Sequence, residues 1–160
     1  ILKQELLARL DNKVPLLAVC RGHQLLNVTM KGSLIVDIPE DVGSEHLHRD
    51  KRKAKRNKST KVFHTVMIDQ KSFLYGIVKT DKCKVYSNHH QAVEKIAKVF
   101  RGVSYAADGI IESIEPIDTL QHPFILGVQW HPEAVNPRNK LSGPIAERFL
   151  FKVYQHAGID

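Results

Sequence analysis

The stretch PLLAVCRG, residues 15–22, decides the fold of this 160-residue chain. The apolar run of residues 15–19 is typical of a strand buried on both faces of a parallel sheet. Cys20 and Gly22 follow in a tight turn, and the apolar positions within residues 25–28 continue at helical spacing. The stretch therefore predicts a buried strand, a turn and a helix, with the Cys20 thiol at the carboxyl end of the strand.

Apolar periodicity predicts the elements on either side of this stretch. A helix is expected over residues 2–10, ending at Asp11, and a C-terminal helix over residues 144–153 with Pro144 in its first turn. The dipeptide Asp108-Gly109 is the strongest hairpin signal in the chain. Strands are expected over residues 62–68, 84–86, 102–106, 109–114 and 123–130.

Composition places the chain among single globular domains. It is 42% apolar and 26% charged, which is ordinary for a soluble protein and excludes disorder. The apolar runs are far shorter than the roughly 20 residues needed to cross a bilayer, so no membrane partner is expected. Two cysteines and no visible secretory signal favour a reducing compartment, and we expect a cytoplasmic protein.

The formal net charge of +7 comes from one segment. Residues 49–61 hold eight basic side chains against one acidic side chain, and the rest of the chain is neutral. This basic loop contains no aromatic residue on which a base could stack. It is interpreted as a solvated loop, with weak polyanion binding as the alternative, and a nucleic-acid partner is disfavoured.

Two strand ends carry residues suited to nucleophilic catalysis. Cys20 lies at a helix N-terminus, which by itself lowers a thiol pKa. His131 ends the strand predicted over residues 123–130, and Glu133 is close enough in sequence to orient its imidazole. The spacing indicates a Cys-His-Glu triad, although a buried structural cysteine and an ordinary loop histidine remain the alternatives.

Three groups of histidines invite a metal hypothesis, namely His46 with His48, His64, and His89 with His90. None has the compact spacing with cysteine or glutamate that marks zinc motifs. No metal is therefore expected, and at least one of His89 and His90 is expected to line a site instead.

Four blocks of sequence together resemble a known family. Residues 17–28 resemble the nucleophile segment of the class I glutamine amidotransferase-like superfamily, and residues 128–133 (VQWHPE) resemble a block shared across it. Residues 87–92 (SNHHQA) and 107–115 (ADGIIESIE) resemble its γ-glutamyl hydrolase branch. The resemblance implies a flavodoxin-like three-layer α/β/α fold with a mostly parallel central sheet.

The resemblance also implies roles for particular residues. Cys20 would be the nucleophile, His131 the general base and later acid, and Glu133 the residue that orients His131. The backbone N–H of Arg21 would supply half an oxyanion hole. The γ-glutamyl group would be faced by Gln24, Asn88, His89 and His90. The implied reaction passes through a cysteine thioester, needs no cofactor and releases glutamate from a small γ-glutamyl substrate.

The chain departs from the family pattern at several points. Ala18 stands where a glycine is usual, and His23 stands where another residue type is usual. Relatives carry further strands and a glycine-rich loop before the nucleophile strand. We expect residues 1–160 to form a single, N-terminally incomplete domain whose missing part lies upstream.

Two other functions stay open at this point. A glutaminase domain that delivers ammonia to a synthase partner would use the same three residues. A non-catalytic binding or scaffold protein would use the basic loop. The leaving amine and the oligomeric state are not predicted.

Overall fold

The structure, a computed structural model, describes residues 2–44, 48–49, 62–119 and 124–159. The helices are α1 (Leu2–Asp11), α2 (Arg21–Thr29), α3 (Ile38–Asp41), α4 (Phe73–Val78) and α5 (Gly143–Ala157), with a 3-10 turn at Pro132–Ala134. The strands are β1 (Leu16–Val19), β2 (Leu34–Ile35), β3 (Val62–Ile68), β4 (Lys82–Ser87), β5 (Ala92–Val93), β6 (Phe100–Ala106), β7 (Ile111–Pro116) and β8 (Ile125–Val128). The basic loop lies outside the described residues except for Arg49.

The eight strands form one sheet with the main order β1-β8-β7-β6-β3-β4. Strands β2 and β5 pair with each other off this path, and β5 also pairs with β7. In β1 and β8 the pairing is parallel, with Val19 opposite Val128. That register brings the carboxyl ends of both strands to one edge of the sheet, as the sequence predicts.

Two apolar cores on opposite faces of the sheet confirm the three-layer α/β class. Side chains alternate along each strand, so neighbouring residues of β8 enter different cores. Ile125 packs in the core that includes Leu10 of α1 and Leu26 of α2. Leu126 packs in the other core, with Leu74 of α4 and Ile145 of α5 among its members.

The expectation of a mostly parallel sheet is wrong, as the strand pairings show. Among the described strands, parallel pairing is confined to β1 and β8. The remaining pairs are antiparallel. The reason is visible in the connections: β6 and β7 are joined by a tight turn in which Gly109 has φ +84°, and so short a connection can only join antiparallel strands.

The predicted elements are present, and several short ones were not predicted. The first and last helices and the strand over residues 62–68 match the prediction, whereas the strand expected over residues 123–130 is shorter, Ile125–Val128. Helix α4 has six residues, too few to show a clear period. Its sequence signal is Ser72, whose side chain accepts a hydrogen bond from the Tyr75 N–H at 2.9 Å and caps the helix.

No described helix is both long enough and apolar enough to cross a membrane.

His23, on the sheet-facing side of α2, gives the stability a pH dependence. The residue is fully buried, and burial lowers its pKa to about 4 from an ordinary 6.5, against the charge of Glu112, which raises it, while His89 lowers it further. His23 therefore binds a proton below about pH 6.5 in the unfolded chain, but only below about pH 4 in the native chain. The contribution of His23 to the free energy of unfolding is fully present well above pH 6.5, and we expect this contribution to fall by about 2 kcal/mol between pH 7.5 and pH 5.

Urea unfolding over this pH range checks the expectation. His23→Gln should remove this component of the pH dependence, while His156→Gln, at an exposed position of α5, should retain it. Equal pH dependence in both variants would show that His23 does not carry the effect.

Candidate functional site

Cys20 occupies a strained turn between β1 and α2. Its backbone has φ 49° and ψ −103°, a region that costs a non-glycine residue on the order of 1–3 kcal/mol. The Cys20 N–H donates to the Val128 carbonyl at 2.7 Å, and the Gln24 N–H donates to the Cys20 carbonyl at 3.2 Å. These bonds fix the turn at the edge of the sheet and hold the side chain at a helix N-terminus. The arrangement is that of a nucleophile elbow.

Ala18 leaves space between β1 and the start of α2. Even a Cβ atom placed on Gly22 would lie 3.7 Å from the Ala18 Cβ, which is ordinary van der Waals contact. The alanine at position 18 therefore does not crowd Gly22.

His131 follows β8 at the same edge of the sheet. Its Nδ1 donates to Glu133 Oε1 at 2.7 Å, its backbone N–H donates to the Tyr86 carbonyl at 3.1 Å, and its ring lies 5.8 Å from the Tyr86 ring. The carboxylate thus fixes one tautomer, in which Nε2 is the unprotonated nitrogen. The imidazole is oriented from three directions.

One pocket of about 560 Å³ contains all three residues of the predicted triad. Its polar and charged lining comes from five residues: Cys20, Arg21, His131, Glu133 and Ser142. The remaining wall is apolar and comes from β1, from Pro132 and from the first turn of α5: Leu17, Val19, Pro132, Ile145 and Ala146. The pocket has room for a small amide substrate beside the thiol.

The Cys20 thiol is not the acidic thiol that its helix N-terminus alone predicts. Burial raises its pKa above the ordinary value of 9.0, and the negative charges of Glu133 and Glu112 act in the same direction. The Arg21 N–H and the Gln129 amide hydrogen bond to the thiol and lower the pKa, but by less. The free site therefore holds a protonated thiol at neutral pH, so a base must remove the proton.

Two buried side-chain amides, Gln129 and Gln24, form a hydrogen-bonded chain that ends at the Cys20 thiol. Gln129 is fully buried, and its Nε2 donates to Cys20 Sγ at 3.5 Å. Gln24 Nε2 donates to Gln129 Oε1 at 3.0 Å and to the Gln91 carbonyl at 2.8 Å. No role for Gln129 is predicted from the sequence; the signal that could indicate one is its position directly after a buried strand.

The three residues that follow β4, residues 88–90, lie in different environments. His89 is buried, and its Nδ1 donates to the Gln91 carbonyl at 3.0 Å. His90 is exposed and lies 3.3 Å from the Arg49 guanidinium, while Asn88 is half-buried. Of the two histidines, the structure directs His89 inward, toward the fully buried Glu112.

Glu112, for which no role is predicted from the sequence, lies among three histidines that the sequence offers as metal ligands but whose spacing argues against a metal site. Its Oε1 is 3.1 Å from a nitrogen of His64, 3.4 Å from one of His48 and 3.5 Å from one of His89. Burial acts to raise the pKa of Glu112, but the three imidazoles outweigh it and hold that pKa well below its usual range. His48, His64 and Glu112 offer ligand atoms within 4.8 Å of one another and could hold a metal ion.

Comparison with known proteins supports the resemblance seen in the sequence. Residues 3–133 match the Peptidase C26 family. The chain is 33% identical over 141 residues to the protein NtpR of Enterococcus hirae, covering 88% of this chain and 56% of NtpR. It is 29% identical over 153 residues to the γ-glutamyl-γ-aminobutyrate hydrolase PuuD of Escherichia coli K12, covering 93% of this chain and 58% of PuuD.

A solved structure shares the fold at low sequence identity. The crystal structure of a glutamine amidotransferase from Thermotoga maritima superposes with a TM-score of 0.57 at 17% identity, covering 99% of this chain and 56% of that one. The chain spans about half the length of the curated relatives it matches. Because the matched segment covers most of the chain and includes both strand ends of the candidate site, the chain belongs to the Peptidase C26 family.

Proposed function

We propose that this chain carries the catalytic residues of a cysteine hydrolase that cleaves small γ-glutamyl amides. One observation carries the proposal: Cys20, His131 and Glu133 line a single pocket, with His131 Nδ1 held by Glu133 at 2.7 Å. The tautomer thus fixed leaves Nε2 to act as a base toward the thiol. The E. coli relative named a γ-glutamyl-γ-aminobutyrate hydrolase supports this substrate class.

The first half of the reaction forms a thioester. His131 takes the proton from Cys20 Sγ, and the thiolate attacks the carbonyl carbon of the γ-amide. The developing oxyanion accepts a hydrogen bond from the Arg21 N–H, and one such donor is worth about 3 kcal/mol in comparable sites. The C–N bond then breaks, the amine leaves with the proton from His131, and a γ-glutamyl thioester remains on Cys20.

The second half releases glutamate. His131 takes a proton from water, the hydroxide equivalent attacks the thioester carbonyl, and the C–S bond breaks. The proton returns to the thiolate, so Cys20 is restored as a thiol. Because burial raises the pKa of Cys20, both halves depend on His131 more than they would with a pre-formed thiolate.

The substrate contacts are proposed from the resemblance alone, because the residues that line the pocket do not include Gln24 or residues 88–90. Asn88 and His90, half-buried and exposed beside the buried His89, are proposed to contact the γ-glutamyl group. Gln24 acts mainly through Gln129, because its Nε2 is committed to Gln129 and to Gln91.

A glutaminase that passes ammonia to a synthase partner is the second candidate. The fold shared with the Thermotoga maritima glutamine amidotransferase favours it, and it would use the same pocket. The two functions differ in the leaving group and in dependence on a partner.

Glutamate release from a panel of substrates separates them. The purified protein is assayed with γ-glutamyl-γ-aminobutyrate, with other γ-glutamyl amides and with free glutamine. We expect turnover of γ-glutamyl amides without an added partner. Turnover of glutamine alone would favour the glutaminase, and release that persists after alkylation of Cys20 would contradict both functions.

Glu133→Gln should lower kcat about 10²-fold with little change in KM. The amide can donate to His131 Nδ1 and so favour the wrong tautomer, and it cannot stabilise the imidazolium. Steady-state kinetics on the best substrate of the panel measures the effect. Glu147→Gln, at an exposed position of α5, is the matched control and should keep parental kinetics. An equal response of the two variants would remove Glu133 from the mechanism.

A further inference from the structure

A buried cluster of three histidines and one glutamate lies outside the catalytic pocket. Its members come from four separate stretches of chain: the segment at His48, β3 with His64, the end of β4 with His89, and β7 with Glu112. Glu112 is fully buried, and the side chains of His48, His64 and His89 are at most 8% exposed. The proposed hydrolysis uses none of these four groups as a reactant.

The distances within the cluster suit a shared metal ion. Zinc lies about 2.0–2.2 Å from imidazole nitrogen and carboxylate oxygen, which places tetrahedral ligand atoms roughly 3.3 Å from one another. Glu112 Oε1 lies 3.1, 3.4 and 3.5 Å from ring nitrogens of His64, His48 and His89. These three distances are close to the separation of ligand atoms around zinc, and the ligand atoms of His48, His64 and Glu112 also all lie within 4.8 Å of one another.

The outward-facing nitrogens of two histidines already have partners. His48 Nε2 donates to Asp108 Oδ2 at 2.8 Å, and Asp108 also accepts a hydrogen bond from the Ser44 hydroxyl. His89 Nδ1 donates to the Gln91 carbonyl at 3.0 Å. When His48 and His89 are neutral, these bonds leave His48 Nδ1 and His89 Nε2 facing Glu112 with a lone pair that can bind a metal ion; when the rings are protonated, the same nitrogens donate to Glu112 instead. Metal-binding histidines are held in this way by a carboxylate or a carbonyl on the second nitrogen.

The inward-facing atoms have no hydrogen-bond partner among the residues that the structure describes. This holds for His48 Nδ1, His89 Nε2, both ring nitrogens of His64 and both carboxylate oxygens of Glu112. Buried polar atoms rarely stay unpaired in native proteins. A metal ion between these nitrogens and the Glu112 carboxylate would give the unpaired atoms a shared partner.

We propose that His48, His64 and Glu112 bind one divalent transition-metal ion of the zinc type, with Asp108 as the positioning residue for His48 and with His89 next to the fourth coordination position. Imidazole with a single carboxylate suits zinc and its neighbours better than magnesium or calcium, which prefer all-oxygen sites. Sequence spacing cannot indicate such a site, because its three ligands come from three distant segments. Bound metal would link β3, β7 and the segment at His48.

Zinc titration of the chelator-treated protein tests the proposal without any assay of activity. We expect one Zn²⁺ per chain by isothermal titration calorimetry, a melting temperature that rises with zinc concentration, and no response to Mg²⁺. Bound Co²⁺ should give the visible absorption of a four-coordinate ion. Absence of stoichiometric Zn²⁺ binding at about 10 µM free metal would overturn the proposal and leave a protonated histidine network in its place.

Variants then identify the ligands. Glu112→Gln and His64→Gln should each weaken zinc binding at least about 100-fold, and Asp108→Asn about 10- to 100-fold. His156→Gln is the matched control and should bind as the parent does. Asp108 lies at a hairpin turn, so Asp108→Asn keeps the test decisive if a buried variant fails to fold. Undiminished binding in all three cluster variants would assign the metal to surface histidines.

Discussion

Cys20→Ser is expected to lower kcat for γ-glutamyl amide hydrolysis at least about 10³-fold while the chain stays folded. Serine and cysteine differ little in volume, so the elbow and its bonds to Val128 and Gln24 should persist. The serine hydroxyl is far less acidic than a thiol, and the single base His131 would have to activate it in a site that already disfavours the anion of Cys20. Steady-state glutamate release measures the loss of kcat, and circular dichroism shows whether the variant stays folded.

The chain supplies a matched control in its second cysteine. Cys83 is partly buried on β4 and lies outside the residues that line the pocket, so Cys83→Ser should keep parental kinetics. Mass spectrometry of the acid-quenched reaction should find the γ-glutamyl adduct on the peptide that contains Cys20. Near-parental turnover by Cys20→Ser would refute the nucleophile assignment, and equal loss in both variants would point to a general effect on stability.

The local part of the site could be predicted because it depends on neighbouring residues. The apolar run of residues 15–19 and the turn at Cys20 specify β1, the elbow and α2 over one short stretch. A second apolar strand that ends near His131 then places the imidazole at the same edge, provided that the strands are parallel. The parallel pairing of β1 with β8 meets that condition.

The pKa of Cys20 could not be predicted in the same way. The helix N-terminus is visible in the sequence, but the burial of the thiol and the charge of Glu112 depend on β7 and β8. The local sequence therefore predicts a lowered pKa for Cys20, whereas burial and the nearby carboxylates in the folded chain raise it.

The histidines of the cluster are candidate metal ligands in the sequence, but a metal site is not predicted there, for a related reason. Zinc motifs are recognisable when ligands lie a few residues apart, whereas here sheet pairing brings His64 of β3 near Glu112 of β7. His48 is held beside them through its carbonyl, which accepts a hydrogen bond from the His89 N–H at 2.9 Å. The sheet joins the two sites as well, because the Gln129 N–H donates to the Glu112 carbonyl at 2.8 Å. Gln129 thus lies between the nucleophile and the cluster, a connection that no sequence pattern indicates.

Gly127→Ala is expected to lower the free energy of unfolding by about 2–3 kcal/mol, the cost of overpacking a closed core. A Cβ atom on Gly127 would lie 2.8 Å from His23 Cδ2 and 2.9 Å from Ile114 Cγ1. Both side chains are fully buried, and neither contact is with the free end of a flexible chain. The strand would have to shift away from α2 or from β7. Urea unfolding at neutral pH measures the loss.

Gly76→Ala is the matched control, because it makes the same chemical change where there is space. A Cβ atom on Gly76 meets nothing within 4 Å, and alanine is the better helix former within α4, so this variant should gain about 0.5–1 kcal/mol. Parental stability in Gly127→Ala would show that β8 can move freely against α2.

The expected displacement of β8 in Gly127→Ala has a second consequence, at the catalytic site. Gly127 precedes Val128, whose carbonyl holds the Cys20 N–H at 2.7 Å, so a displaced β8 should also lower kcat, whereas Gly76→Ala should not.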